Sequence, residues 1–393
     1  MTPSARLQAA IDVLDEVIVA ARDGGPAADT LIARYFKTRR YAGSKDRRAV
    51  RDLIYDAIRR AGERPESGRA ALLGLARDQP DLMAQFDGSP HGPAAIASDE
   101  PVAEARPLPK WISPRLAKLI DRAEQRALLE RAPLDIRVNR LKATVEIARA
   151  SLPDATSIDD LPDALRLPEG YPLEQSDAWD QGLVEVQDAG SQIIAATCVA
   201  MPGMTVIDLC AGAGGKTLAL AAAMEGRGVL IAADTVRSRL QRLTPRAERA
   251  GAGFIQTVLL DSGREASALG THEGKADVVL VDAPCSGTGT WRRNPEARWR
   301  LTPDRLDRLV KEQARILDIA APLVRPGGRL VYAVCALTDA EGKAQIDAFL
   351  VRHPGWRALP QDMPPGRPWG HGRLLSPRHD GTDGFFLAVL EKS

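Results

Sequence analysis

Two thiols carry the most chemical weight in this 393-residue chain. Cys285 follows the apolar run that ends at Asp282, in Asp282-Ala283-Pro284-Cys285-Ser286-Gly287, and Cys335 follows the run Tyr332-Ala333-Val334. A thiolate is the strongest nucleophile among side chains, and ligands bind at the carboxyl ends of strands in an open α/β sheet. Two such thiols beside one glycine-rich loop point to covalent chemistry. The plain structural alternative makes both cysteines small buried hydrophobes, Asp282 a strand-end cap and Pro284 a turn former. Of the remaining cysteines, Cys198 lies in an apolar helical stretch and reads as core, and Cys210 belongs to the glycine loop, where its backbone matters most.

That loop is Asp208-Leu209-Cys210-Ala211-Gly212-Ala213-Gly214-Gly215-Lys216-Thr217, between a predicted strand and a predicted helix. Glycines let a ligand approach the backbone, and the helix amino terminus offers free N–H groups. A nucleoside triphosphate is one candidate, because Gly-Lys-Thr and a later strand ending in Asp282 mimic the two nucleotide motifs of a P-loop enzyme. The P-loop needs glycine where this chain has Cys210, and a side chain there obstructs the phosphate cradle. The better reading is a nucleoside without a triphosphate, such as S-adenosylmethionine. Asp234, at the end of the second strand, is placed to meet a ribose or to cap the next helix, and Asp261, ending the third, to meet an adenine or to cap a turn.

Thiols beside such a cofactor suit methylation of carbon 5 of a pyrimidine, a carbon too weakly nucleophilic to react unaided. Attack of a thiolate on carbon 6 breaks the aromaticity and makes carbon 5 enamine-like; loss of the carbon 5 proton later expels the sulfur. Asp282 is placed for a contact with ring N3, as a carboxylic acid kept partly neutral by burial, and Lys216 to orient the base. The residues alone leave open which cysteine attacks.

The elements that must position these groups follow from periodicity. From residue 186 onward the pattern predicts strands Thr205 to Leu209, Gly228 to Ala233, Phe254 to Leu260, Asp277 to Val281 and Arg329 to Val334. Helices are predicted over Gly215 to Met224, Val236 to Ala250, Pro303 to Leu323 and Asp339 to Arg352. Near-continuous apolar strands alternating with helices indicate a parallel α/β sheet covered on both faces. The last strand, Gly384 to Leu390, has no helix after it and is expected antiparallel at the edge. Residues 1–85 read as an all-helical domain, from the spacing of Leu7, Ile11, Leu14, Val17 and Ile18 and of Val50, Leu53, Ile54 and Ile58. Residues 86–110 read as a linker, 111–185 as a small α+β segment with a helix from Pro114 to Leu129 and a strand from Asp135 to Asn139, and 186–393 as the catalytic domain.

Net charge is +1, so any contact with a polyanion must be local. Residues 34–60 hold ten basic and three acidic side chains interleaved with Tyr35, Phe36 and Tyr41, the composition of an RNA surface or of a solvated helix face. Trp291-Arg292-Arg293-Asn294-Pro295-Glu296-Ala297-Arg298-Trp299-Arg300 offers arginines and tryptophans for single-stranded RNA, or salt bridges to the next helix. No Cys/His spacing suits zinc, so no metal is expected. Asp12, Asp15 and Glu16 interrupt any signal peptide and no run is long enough to span a membrane, so the expectation is a cytoplasmic protein. No heptad or exposed apolar stripe suggests a dimer, so a monomer is expected.

At the loop Asp208 to Thr217, Asp282 to Gly289 and Tyr332 to Ala336, together with Asp135-Ile136-Arg137-Val138-Asn139-Arg140-Leu141-Lys142, Val186-Gln187-Asp188-Ala189-Gly190-Ser191-Gln192 and Asp383-Gly384-Phe385-Phe386, the chain resembles the RsmB/NOP2/Sun family of RNA cytosine-5 methyltransferases. The resemblance covers residues from about 111 to 393. It implies a class I S-adenosylmethionine-dependent methyltransferase fold, Rossmann-like, with a seven-stranded sheet whose last strand is antiparallel, and the 111–185 segment as an RNA-recognition element. It further implies that Cys210, Ala211, Gly212, Ala213, Gly214, Gly215, Lys216, Asp234, Asp261 and Asp282 bind or border the cofactor, that Cys335 is the nucleophile and that Cys285 releases the product. Residues 1–85 are similar to a NusB-like RNA-binding domain, which by analogy of architecture makes ribosomal RNA the expected partner ahead of transfer RNA. Val334 and Ala336 stand where the family usually has Thr and Ser around the nucleophile, and Gly212-Ala213 where Ala-Pro is common. A non-catalytic RNA-binding assembly factor is the alternative that the first departure leaves open.

Overall fold

The computed structural model describes residues 1–360 and 365–393. Two compact units are present: Met1–Glu130 with Thr290–Pro303, and Arg131–Gly289 with Asp304–Ser393.

The first unit is helical: α1 (Pro3–Asp23), α2 (Ala28–Lys37), α3 (Ser44–Arg60) and α4 (Gly68–Ala76). Thr2 caps α1 by accepting the Ala5 N–H, Pro3 needs no donor at the first helical position, and Gly24 ends it at φ 76°. Leu7, Leu14 and Val17 of α1 are buried in one cluster with Val50, Ile54 and Ile58 of α3 and Leu72 of α4, as their helical spacing requires. Tyr35 and Phe36 sit in the same core, edge to face at 5.3 Å, and Tyr55 is buried with them, so of the four aromatics in residues 34–60 only Tyr41 is exposed. Several of its arginines are committed within the unit: Arg34 to Glu16, Arg51 to Asp29, Arg60 to Asp78, and Arg39 over the Tyr35 ring.

Residues 86–110, expected as a linker, lie along these helices: Ala103 N–H donates to Ala70, Arg106 N–H to Arg60, and Ala105 bridges Ala61. The helix expected over Pro114 to Leu129 is broken into a 3-10 turn, Ser113–Arg115, and a helix, Arg122–Ala127, because Asp121 takes the Ala123 and Glu124 N–H groups and restarts it.

The tryptophan–arginine segment also belongs to this unit, and its expected RNA contact is corrected here. Trp291, Arg298 and Trp299 are buried; Arg298 donates to the carbonyls of Ile58, Pro107 and Pro295, Trp299 Nε1 to Ala61 at 2.8 Å, and Arg300 to Gly25 and Pro26. Burial pulls the Arg298 guanidinium down to about 9. These side chains hold the helical unit together instead of facing a ligand.

The second unit contains two sheets. The smaller is antiparallel, in the order β2-β3-β1-β4, from β1 (Leu134–Val138), β2 (Thr156–Ile158), β3 (Leu161–Leu167) and β4 (Val184–Val186). Glu185 of β4 pairs with Arg246 and Arg249 of the helix Arg237–Ala250, and the Asn139 amide donates to the Ala250 carbonyl, so this sheet is anchored to the larger one's covering helix.

The larger sheet comprises β5 (Thr205–Asp208), β6 (Val229–Asp234), β7 (Gln256–Leu259), β8 (Ala276–Asp282), β9 (Val324–Val334), β10 (Trp356–Ala358), β11 (Arg367–Trp369), β12 (Gly372–Leu375) and β13 (Phe385–Lys392). Its order is β11-β12-β13-β9-β8-β5-β6-β7, with β10 paired to β13. The pairs among β5 to β9 are parallel, and β13 runs antiparallel to β9, placing Phe386 opposite Val334. This is the Rossmann-like class I arrangement, with a reversal of strand order at β5 that opens a crevice beyond the strand ends.

Two details differ from expectation. Nine strands, not seven, form this sheet among the described residues, because β10 and β11 are three-residue additions too short to leave a periodic signal. The last strand is interior, not at the edge: Phe385 to Leu390 are all buried, which requires neighbours on both sides and cover on both faces. Among the described residues no helix is long and apolar enough to cross a membrane.

Candidate active site

Apart from Lys216, in the first turn of the helix Gly215–Ala223, each chemistry-bearing residue of the cavity sits at or just past the end of a strand. β5 delivers Asp208 and runs into the glycine loop, where Gly212 (φ 58°) and Gly214 (φ 85°) take left-handed conformations. A Cβ at Gly214 would collide with the Leu243 side chain, so the loop lies tight on the helix Arg237–Ala250. A Cβ at Gly212 or Gly215 would meet nothing within 4 Å: here the backbone faces open space. β6 delivers Asp234, whose Oδ2 accepts the Gly212 N–H (2.8 Å) and whose Oδ1 accepts the Val236 N–H (2.7 Å), bracing the loop and the following turn together.

The space in front is a cavity of about 620 Å³, the size of a small-molecule site. Asp208, Cys210 to Ala213, Gly215, Lys216, Asp234, Asp282, Cys285 and Cys335 line it. Of the expected site residues, Asp261 is exposed and is not on the cavity wall, where Leu260 stands in its place. Gly214 is likewise behind the wall, packed on Leu243. Lining residues that sequence reasoning missed include Ser191, Arg239, Glu265, Glu312 and Arg315. Arg315 forms a two-pronged ion pair with Glu265 (2.8 and 2.7 Å) and a further one with Glu312. Ser191 lies in the Val186–Gln192 motif, and the i, i+3 spacing of Glu312 and Arg315 on an amphipathic helix could have flagged those two.

Asp208 is buried; its Oδ2 accepts the Thr217 hydroxyl at 2.6 Å while Oδ1 has no partner among the described residues. Burial pushes this carboxyl up to about 7, against the Thr217 bond that favours the charged form. Such an orphaned acceptor on a cavity wall is matched to a ligand that brings a donor.

Lys216 Nζ reaches Asp282 Oδ2 at 2.7 Å, so Asp282 stands in an ion pair and not as an isolated buried acid. Burial works against the Lys216 ammonium, but the Asp282 carboxylate outweighs it, with a smaller contribution from Cys335, and holds its pKa above the usual lysine value. The Sγ atoms of Cys285 and Cys335 are 3.2 Å apart. The hydrogen bond with Cys335, then burial, raise the Cys285 thiol well above the ordinary range, and the charge of Glu341 adds to this. Burial does the same to Cys210. The two thiols are therefore not equivalent: Cys335 is near a cation, Cys285 near an anion. Among the described residues no group of His, Cys, Asp and Glu is arranged to hold a metal ion.

Residues 196–391 match the family model described as 16S rRNA methyltransferase RsmB/F. The probable ribosomal RNA small subunit methyltransferase B of Synechocystis is 33 % identical over 82 % of this chain and 75 % of its own length. This chain belongs to the RsmB/F family of 16S rRNA methyltransferases. The ribosomal RNA small subunit methyltransferase B of Salmonella arizonae is 36 % identical over 72 % of this RsmB/F chain and 66 % of its own length, so about a third of that relative lies outside the match. The solved structure of NSun6 from Pyrococcus horikoshii with SFG superposes with a TM-score of 0.61 over 68 % of this chain and 92 % of that one, at 22 % identity. That likeness carries the fold. Within this RsmB/F chain the family match takes in the glycine loop, both cysteines and every strand from β5 to β12, and it reaches into β13.

Proposed function

We propose that this chain methylates carbon 5 of a cytidine in ribosomal RNA with S-adenosylmethionine, through a covalent bond between Cys335 and carbon 6 of the base. The observation that carries the reading is the pair of thiols 3.2 Å apart on the wall that also holds the Lys216–Asp282 ion pair and the open glycine loop. The cavity fits the cofactor: Asp208 Oδ1 is a buried acceptor without a donor, Gly212 and Gly215 leave room against the backbone, and each Asp234 oxygen keeps a lone pair for a ribose hydroxyl. When bound, S-adenosylmethionine supplies an electrophilic methyl group. Asp261, exposed at the end of β7, is left without a part in this cradle.

The chain's own residues do the rest. Cys335 passes its proton to water and attacks carbon 6, while Cys285, held as a thiol, donates to its sulfur. As the S–C6 bond forms, negative charge develops at ring N3, where the Lys216–Asp282 pair supplies a proton. After carbon 5 is methylated its proton passes to a water beside the Cys285 thiol, the carbon 5–carbon 6 double bond returns, the Cys335 sulfur leaves as a thiolate, and ring N3 gives its proton back to the Lys216–Asp282 pair.

The test is methyl transfer from labelled S-adenosylmethionine to ribosomal RNA, with bisulfite mapping and denaturing gels. Cys335→Ala is expected inactive and free of covalent RNA; Cys285→Ala is expected to accumulate an RNA–protein adduct because release is slowed. An adduct on the Cys335 variant, or methylated RNA that keeps its bisulfite-sensitive cytidines, would overturn the proposal.

A further inference from the structure

Glu341 is fully buried and is not on the cavity wall, yet it connects the segments that carry the two thiols. Its Oε1 accepts the Ser286 N–H at 2.7 Å and the Gln313 side-chain amide at 3.1 Å. Its Oε2 accepts the hydroxyls of Ser286 at 2.6 Å and Thr338 at 2.8 Å. The same Gln313 amide donates to the Pro284 carbonyl at 3.0 Å, so the residues on both sides of Cys285 are tied to one carboxylate. Glu341 lies in the segment that follows Cys335, and the Tyr332 hydroxyl at the end of β9 donates to its carbonyl at 2.7 Å. A second tie runs beside the first: Thr288 Oγ1 accepts the Leu337 N–H at 2.8 Å and Gly289 N–H donates to the Cys335 carbonyl at 3.0 Å.

A buried carboxylate is costly unless its lone pairs are filled, and here four donors fill them with no ion pair among the described residues. Separating the two loops would strip those donors and leave the charge unsolvated. We infer that Glu341 is a positioning residue, which clamps the Cys285 loop to the Cys335 loop and so keeps Cys285 within reach of the adduct it releases. Its negative charge also opposes ionisation of Cys285, after the Cys335 hydrogen bond and burial. The inference rests on the proposed roles of the thiols, but the clamp itself can be measured without RNA.

Two readouts are combined. Diamide takes two electrons and two protons from a thiol pair, so the rate at which Cys285 and Cys335 form a disulfide, mapped by mass spectrometry, reports how well they are held together. Glu341→Ala should slow this by roughly ten-fold or more, since all four hydrogen bonds to its charged carboxylate are lost. Glu341→Gln should form the disulfide at least as fast as wild type, because its amide oxygen can take the two N–H donors, its NH2 can donate to the two turned hydroxyls, and loss of its charge eases ionisation of Cys285. With RNA and cofactor, Glu341→Ala should accumulate adduct as Cys285→Ala does, and Glu341→Gln should not. Should Glu341→Ala fail to fold, the double variant Ser286→Ala/Thr338→Val removes both Oε2 donors and should slow disulfide formation in the same direction. Wild-type disulfide rates in a folded Glu341→Ala or in that double variant overturn the clamp. Absence of adduct in Cys285→Ala overturns the role given to that thiol and leaves the disulfide rate to decide the clamp.

Discussion

Asp208→Asn isolates the energetic cost of the orphaned carboxylate at the heart of the cofactor loop. In the unfolded chain this carboxyl titrates at 3.8; in the folded protein burial moves it up to about 7. Between those values the native state binds the proton that the unfolded state has lost, so stability falls as pH rises, the opposite of the common carboxylate case. At pH 5 the native group is still protonated and the loss is about 2 kcal/mol; at pH 8 it has reached about 4 kcal/mol, from 1.36 kcal/mol for each pH unit separating the two pKa values. Asparagine has nothing to ionise, keeps an oxygen for the Thr217 hydroxyl, and turns an NH2 toward the cavity. The stability of Asp208→Asn relative to wild type should therefore rise by roughly 2–3 kcal/mol from pH 5 to pH 8, which for a unit of this size is an increase in relative Tm of about 5–10 °C. Thermal unfolding of both proteins without cofactor at the two pH values measures it, and the difference between them cancels the titrating groups that do not interact with Asp208. Calorimetry should show weaker S-adenosylmethionine binding in the same variant, because a donor replaces an acceptor. A relative stability that does not change with pH, or that falls, would refute the argument that burial dominates at Asp208.

Further outcomes are expected at three positions. Gly214→Ala forces a Cβ into Leu243 at a φ of 85° and should cost at least about 1–2 kcal/mol, seen as a lowered Tm together with weaker cofactor binding, while Gly215→Ala, which meets open space, should spare stability. Trp299→Ala opens a cavity in the helical unit and breaks the bond to the Ala61 carbonyl, at a cost of about 3–5 kcal/mol. Denaturant unfolding followed by protease sensitivity of residues 1–130 checks this, and a loss below about 1 kcal/mol would mean the segment is not structural.

Much of the site is legible along the chain because it is made of local patterns. The glycine loop is a strand, a turn that only glycines permit and a helix start, all within Thr205 to Ala223, and the cysteines follow apolar runs of strand length. Helix boundaries fail where a side chain has other business. The helix expected from Asp339 starts at Lys343, because Glu341 and Thr338 are engaged with the Cys285 loop and Gly342 packs on Phe386. The basic stretch at 34–60 and the tryptophan–arginine segment share a composition that fits both RNA contact and interior struts. Their side chains meet backbone carbonyls and carboxylates far along the chain, as Arg298 meets Ile58, and no window of sequence contains such a pair.

By itself the sequence determined the alternation that builds a parallel sheet, the loop that rejects a triphosphate and the presence of two thiols at strand ends, since each depends on neighbours within a few residues. Tertiary structure alone decided which thiol lies near a cation and which near an anion, that Asp208 keeps an unfilled acceptor, and that Glu341 ties the two loops. Those properties depend on burial and on which groups come within about 3 Å across the fold, and distances of that kind are fixed only once the whole sheet has packed.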